Sequence, residues 1–417
     1  MGLSAAYHAL KAGHTVAVLE AQPEPGGMAA HFDLDGLSVE RYYHFCCNTD
    51  YATFELLKEL GMPEVRWTST TMGQFTQGTL YPWGNPVALL KYPHLSLMAK
   101  IRYGLFALVS VKRDGWDAIE TESAKSWIQR WTGKEVWAKL WDPLMRLKFY
   151  EYEDNVSALW IWTRIRRIGR SRYSIMREQL GFIEGGSQAL VDKLVSEIER
   201  LGGTVRMGQP AQKVTTEEGQ VTGVETPAGF VPADYVISTV PTPLLGNMVP
   251  DLPAEWKAKY DAIKNIGVCC LVFKLKKSLS PHFWVNISSP DIEIPGIVEL
   301  TNLRAMGDDH VVYIPYYMPI THPKFSWSDD EILSEAFGYL RKVNPSLTDD
   351  DVLGASVARL KHAQPICEPG FAAKIPPVQT PIAGLQIADT CFYYPEDRGI
   401  SESVRFGREM AARIGPA

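Results

Sequence analysis

The sequence predicts an α/β fold built on a parallel sheet, and three stretches predict it. The first joins a small-residue helix to a short apolar strand that ends in an acid, Gly2 to Glu20. The second, about 181–241, is another helix-and-strand unit punctuated by paired glycines. The third, from Pro381, is a strand ending in Asp389 followed by a second small-residue helix.

Bulk properties bound the answer. At roughly 100–200 residues per domain, 417 residues imply two or three domains. With 46% hydrophobic and 22% charged residues, the chain reads as an ordinary soluble globular protein able to bury a large core. Lys+Arg 42 against Asp+Glu 48 gives −6, so no global basic field recruits nucleic acid. No apolar run approaches the ~20 residues of a spanning helix. The start lacks the basic region, apolar run and cleavage site of a secretory leader. None of the six cysteines forms a C-x-x-C pair, so a reduced, cytoplasmic chain without a metal site is expected.

In the first unit, Leu3, Ala6 and Leu10 share one helical face, and Gly13 sits where a C-terminal cap belongs. His14 to Glu20 then reads as a buried strand. Helix, glycine turn and acid-ended strand are the second half of a dinucleotide-binding βαβ unit. In such a unit the acid meets the adenosine ribose and the helix N-terminus faces the pyrophosphate. The usual opening strand and G-x-G-x-x-G are represented only by Gly2, so Met1 is expected to be an internal methionine of a longer protein. Pro25-Gly26-Gly27-Met28 follows the strand, and its glycines allow backbone amides to approach a phosphate or a flat ring.

Residues about 90–175 read as helical and aromatic, with Arg164, Arg166, Arg167, Arg170 and Arg172 crowded just after Leu159-Trp160-Ile161-Trp162. In the second unit, Gly185-Gly186 leads into an amphipathic helix from Leu190 to Leu201. Short strands with glycine turns follow as an antiparallel ribbon, and Tyr235 to Val240 returns to the parallel sheet. From 264 to 319 the pattern is mostly strand: Ile266–Leu275, Ile292–Thr301 and His310–Met318. Ser328-Asp-Asp-Glu331 fits a capping box opening a helix.

Taken in order, these pieces resemble the FAD-dependent amine oxidase and protoporphyrinogen oxidase-like flavoprotein superfamily. The anchors are the Glu20 strand with Gly26-Gly27, Gly181–Leu190, Val-Ile-Ser-Thr-Val-Pro241, and Gly384–Asp389 with its helix. Arg41-Tyr-Tyr-His-Phe, Trp141-Asp-Pro-Leu and Tyr394-Pro-Glu-Asp-Arg-Gly399 narrow the likeness to bacterial protoporphyrinogen-oxidase-like members. The resemblance implies an FAD-binding, Rossmann-like parallel-sheet domain of glutathione-reductase type with an inserted α+β substrate domain. The FAD part would comprise 1–75, 180–245 and 370–417. The substrate part would comprise 76–179 and 246–369, helical over 90–175 and a mixed sheet over 264–319.

By position, the resemblance places Glu20 on the adenosine ribose and Gly26, Gly27 and Met28 near the pyrophosphate and flavin. It places Val214 at the adenine, Asp389 beside the ribityl–pyrophosphate, and Gly2 and Pro241 in the same cofactor site. Amine oxidases carry a lysine on the strand that here reads Gly267-Val-Cys-Cys-Leu-Val-Phe. No lysine stands at the matching place, which speaks against amine oxidation specifically and is compatible with carbon–carbon or ring dehydrogenation.

His44 is the candidate acid–base group, the alternative being a hydrogen-bonded supporting residue. Arg164 and Arg167 belong to a cluster with three readings: a solvated helical face, a pocket for carboxylate or diphosphate, or a membrane-surface contact helped by Trp160 and Trp162. The expected activity is FAD-dependent dehydrogenation of a medium-sized organic substrate. The alternative is a non-redox flavoenzyme resembling UDP-galactopyranose mutase. A cytoplasmic chain, peripheral to the inner face of the membrane in the third reading of the arginines, completes the expectation.

Overall fold

Two short parallel strand pairs lie against the N-terminal helix. Ala17–Leu19 runs parallel to Thr204–Arg206, and Val236–Ser238 runs parallel to Leu385–Ile387. The strand at 236–238 therefore returns to its partner at 385–387, not to the strand that ends at Glu20. The helix Gly2–Lys11 touches both Ala17–Leu19 and Val236–Ser238, and packs on Gly186–Arg200 and Ile400–Ala412. This computed structural model describes residues 1–115 and 117–415. Residue 116, inside the helical stretch, and residues 416–417, at the end of the 370–417 segment, lie outside the described residues.

The helices obey local chemistry. Gly2–Lys11 stops because Gly13, at φ 97°, takes the left-handed conformation that a side chain resists. Its crossing with Ile400–Ala412 is close at Gly407, where a Cβ would stand 2.7 Å from Ser4 Cβ and 2.8 Å from the Ala5 nitrogen. The helix expected from Leu190 starts earlier, at Gly186, because Gly185 at φ 79° turns the chain directly into it. Ser328 and Glu331 form the expected reciprocal cap.

A three-stranded antiparallel ribbon (Lys213–Glu217, Gln220–Thr226, Gly229–Pro232) follows Thr204–Arg206. The large sheet has seven strands. In spatial order they are Val352–Pro365, Asn265–Leu275, His310–Met318, Gly296–Glu299, Trp284–Ile287, Met72–Thr76 and Thr79–Trp83. All neighbours are antiparallel except Trp284–Ile287 with Met72–Thr76. Helix Asp329–Val343 covers one face through Ile332, Ala336 and Leu340. The other face joins the main core, which includes the helical layer of Leu97–Lys112, Ala124–Thr132, Asp142–Phe149 and Ala158–Arg170.

Candidate active site

The first half of the site is the end of the parallel strands. Helix Gly2–Lys11 folds back through the turn at Ala12–Gly13, so Gly2 and Glu20 come to the same end of the layer. A Cβ on Gly2 would lie 3.3 Å from Thr239 Oγ1, just past Val236–Ser238. Asp389 fixes that edge: its carboxylate accepts from the Thr242 amide at 2.7 Å and the Cys391 amide at 2.8 Å. Pro241 precedes the turn that Asp389 holds. Ser238 Oγ and Thr242 Oγ1 are buried there without a hydrogen-bond partner among the described residues. A buried hydroxyl left unpaired costs about 1–3 kcal/mol, so these oxygens suit a polar ligand at the strand ends.

Glu20 extends the other pair. Its amide donates to the Arg206 carbonyl at 3.0 Å, and its carboxylate accepts from the Gln22 amide at 2.9 Å. Gly26 and Gly27 follow at φ 111° and 58°. A side chain on Gly26 would meet Val191 Cγ2 at 3.0 Å, whereas one on Gly27 would enter space with nothing within 4 Å. Met28 is half-buried in the turn Gly27–Ala29, and Ser187 Oγ donates to the Ala29 carbonyl at 2.7 Å, pinning that turn to helix Gly186–Arg200. Val214 is buried in the ribbon opposite Val224. Open space at left-handed Gly27 and orphaned hydroxyls at the strand ends fit a dinucleotide.

The second half lies past Asp389 on the same loop. Asp397 Oδ1 accepts from Arg164 Nη2 at 2.5 Å and from the Arg398 amide at 2.7 Å. Arg398 donates to the Ala363 carbonyl and to Tyr317 Oη at 3.3 Å. Arg164 also donates to the Trp160 carbonyl at 2.8 Å and lies on the Trp160 ring. Lys148 Nζ sits 4.8 Å from the Tyr317 ring centre and 5.6 Å from that of Trp160, with no hydrogen bond or ion pair among the described residues. Burial, reinforced by the Arg164 charge, lowers its ammonium to about 7. Burial opposes ionisation of Asp397, but Arg164, Arg398 and Lys148 outweigh it and hold the carboxyl below its ordinary value.

Arg167 makes a two-pronged pair with Asp50, at 3.1 and 2.7 Å. Together with Asp397 it lines a polar cavity of about 270 Å³ bounded by Gly399 and Ser401 at the start of helix Ile400–Ala412. His44 is half-buried, and among the described residues its Nδ1 makes no hydrogen bond. Burial lowers its imidazole, with Glu40 acting against that, so it rests neutral. Lys274 is tied up elsewhere: its ammonium donates to the Asp35 carbonyl at 2.9 Å and lies 3.3 Å from Asp309. The sequence singles out Arg164 and Arg167 but neither Lys148 nor Tyr317, and shows Asp397 and Arg398 only within the Tyr394–Gly399 motif. The available signal was a charged pair, Asp397-Arg398, in a loop running from the strand-end acid Asp389 into a helix.

An α/β sheet edge with open space at Gly27 and strand-end hydroxyls lacking a partner among the described residues is the kind of edge at which α/β proteins bind nucleotide cofactors. Residues 2–377 match the family described as flavin containing amine oxidoreductase, and the chain belongs to it. It is an FAD-dependent oxidoreductase, as its family is. A protein named as a protoporphyrinogen oxidase from Exiguobacterium sp. 255-15 is similar at TM-score 0.75 and 18% identity, over 99% of this chain and 96% of that one. Putrescine oxidase bound to putrescine is similar at 0.72 and 16%, over 99% and 96%. Reduced UDP-galactopyranose mutase is similar at 0.75 and 16%, over 99% and 92%. At these identities the likeness is one of fold. No curated protein matches the chain.

Proposed function

We propose that the chain dehydrogenates a medium-sized organic substrate. Residues 1–75, 180–245 and 370–417 would hold FAD, and 76–179 with 246–369 would hold the substrate. Bound FAD supplies a hydride acceptor at its N5. Glu20 takes the adenosine ribose, Gly2, Gly26, Gly27 and Met28 the pyrophosphate side, Val214 the adenine, and Pro241 and Asp389 the ribityl side. The carrying observation is the loop from Asp389 to Arg398, which joins the strand-end carboxylate to the cluster of Lys148, Arg164 and Tyr317. Lys148 and Arg398, with the Tyr317 and Trp160 rings, orient the substrate and keep bulk water out, while Arg164 holds Asp397 in place. Neutral His44 is suited to take a proton as the substrate loses hydride.

A second reading, isomerisation of a nucleotide sugar on reduced flavin, is favoured by the arginines lining the cavity beside Asp50 and Asp397. Anaerobic mixing with candidate substrates separates the two. A dehydrogenase bleaches the flavin in proportion to substrate added. A mutase leaves oxidised flavin untouched and turns over only after chemical reduction. Flavin that responds in neither state overturns both readings. All six cysteines are buried free thiols, which supports a reducing, cytoplasmic setting.

A further inference from the structure

The helix Leu97–Lys112 is apolar on two opposite faces. Ala99 and Phe106 point into the core, as expected. Leu97, Met98, Ile101, Leu105 and Leu108 form a second stripe, 66, 65, 54, 51 and 46% exposed. At 3.6 residues per turn these positions fall within an arc of about 100°, across the helix from Phe106. The preceding helix Pro86–Lys91 adds Leu90, 58% exposed. A helix that is apolar all round is ordinarily covered all round. At the far end the patch continues onto the segment after Ala158–Arg170: Arg170 Nε donates to the Val111 carbonyl, and Tyr173 and Ile175 just beyond are 73 and 66% exposed.

Charge says what covers this face. Between residues 65 and 113 there is no Asp or Glu, while Arg66, Lys91, Lys100, Arg102, Lys112 and Arg113 are all cationic, in a chain whose net charge is −6. Among the described residues, none of the five cations from Lys91 to Arg113 makes an ion pair. The acids nearest the helix ends are neutralised: Glu135 pairs with Lys139, and Asp114 with Arg166 and Arg170. A second copy docked face to face would bring like charges together. An anionic bilayer offers both an apolar layer and the opposite charge.

We infer that the outer face of Leu97–Lys112, with Leu90, is a membrane-interface helix that lies in the headgroup region of an anionic bilayer. This moves the membrane contact away from Trp160 and Trp162, which are 2 and 0% exposed. The proposal stands on the surface alone and does not depend on the reaction assigned above.

The test is co-sedimentation of the purified chain with vesicles of phosphatidylglycerol in phosphatidylcholine, and with phosphatidylcholine alone. Binding is expected to the anionic vesicles, weakened by salt. It should fall by about tenfold or more in the double variant Ile101→Glu, Leu105→Glu, because two charges must then enter the interface. Phe230→Glu, on the ribbon and 54% exposed, should bind as the parent does. As a second readout, Ile101→Trp fluorescence should be quenched by brominated lipid. Failure of the parent chain to bind vesicles overturns the inference, including the case in which sedimentation shows a dimer that the double variant dissolves. Binding that survives the double variant, or is lost equally in Phe230→Glu, overturns it too.

Discussion

Lys148→Met removes an ammonium that the fold holds among aromatic rings without a counter-ion of its own, and its effect follows from the lysine's titration. In the unfolded chain this lysine titrates at its ordinary 10.5, whereas in the folded chain it does so at about 7. Between those values the unfolded state carries a proton that the folded state lacks, so stability rises with pH across that window. The destabilisation is complete below the folded value and gone above the unfolded one. At roughly 1.4 kcal/mol per pKa unit the full difference approaches ~5 kcal/mol, and partial solvent access reduces it to about 2 kcal/mol. Methionine has a similar length and packs on the same rings. The variant should therefore be about 2 kcal/mol more stable at neutral pH, with the advantage fading as pH approaches 10.5. Thermal unfolding of both proteins across that pH range measures it. A variant less stable than the parent at neutral pH, or a stability gap independent of pH, refutes the reasoning. Flavin content should be unchanged, while substrate-dependent bleaching falls.

Arg167→Leu leaves the Asp50 carboxylate, 9% exposed, without its two-pronged partner, and should cost about 3–5 kcal/mol in thermal unfolding. Adding Asp50→Asn should restore part of that loss. Glu178 is buried, its Oε1 has no hydrogen-bond partner among the described residues, and burial pushes its carboxyl up to about 7 from an ordinary 4.5. Across that interval the folded state holds a proton that the unfolded state has lost, so stability falls as pH rises. Glu178→Gln should be about 2 kcal/mol more stable than the parent above neutrality and no different below the ordinary value, read from the pH dependence of melting. Gly27→Val strains a left-handed turn by about 1–2 kcal/mol and fills the open space beside it, so purified protein should carry less flavin by visible absorbance. Undiminished flavin content would remove Gly27 from the cofactor site.

What the sequence made legible was whatever local chemistry decides alone. Gly13 ends a helix because its φ of 97° suits a residue without Cβ, and the Ser328–Glu331 cap follows from spacing. Glu20 and Asp389 were visible because each closes an apolar strand. The long edge strand Val352–Pro365 was not: Gly354, Arg359 and Lys361 interrupt its pattern, and its residues up to Arg359 and Leu360 are only half-buried, so neither face repeats with period two. Met72–Trp83 and Trp284–Ile287 were missed for a related reason, since each strand is only four or five residues long and takes its identity from neighbours far along the chain.

The site divides in the same way. A crowd of arginines after two tryptophans is visible in one line of sequence, but what those arginines do depends on partners 117 residues upstream at Asp50 and 233 residues downstream at Asp397. Those pairings remove two charges from the cluster and change its meaning. The cations left to meet a substrate are Lys148, on another helix, and Arg398, whose contacts are a carbonyl and the Tyr317 hydroxyl. An isolated lysine amid Leu-Met-Arg-Leu-Lys-Phe carries no periodic signal, because burial of its head is set by the Tyr317 strand and the Trp160 helix closing over it. Charge in this protein is thus assigned by the tertiary fold: Asp50 and Asp397 pair with Arg167 and Arg164, and Lys148 is left among aromatic rings.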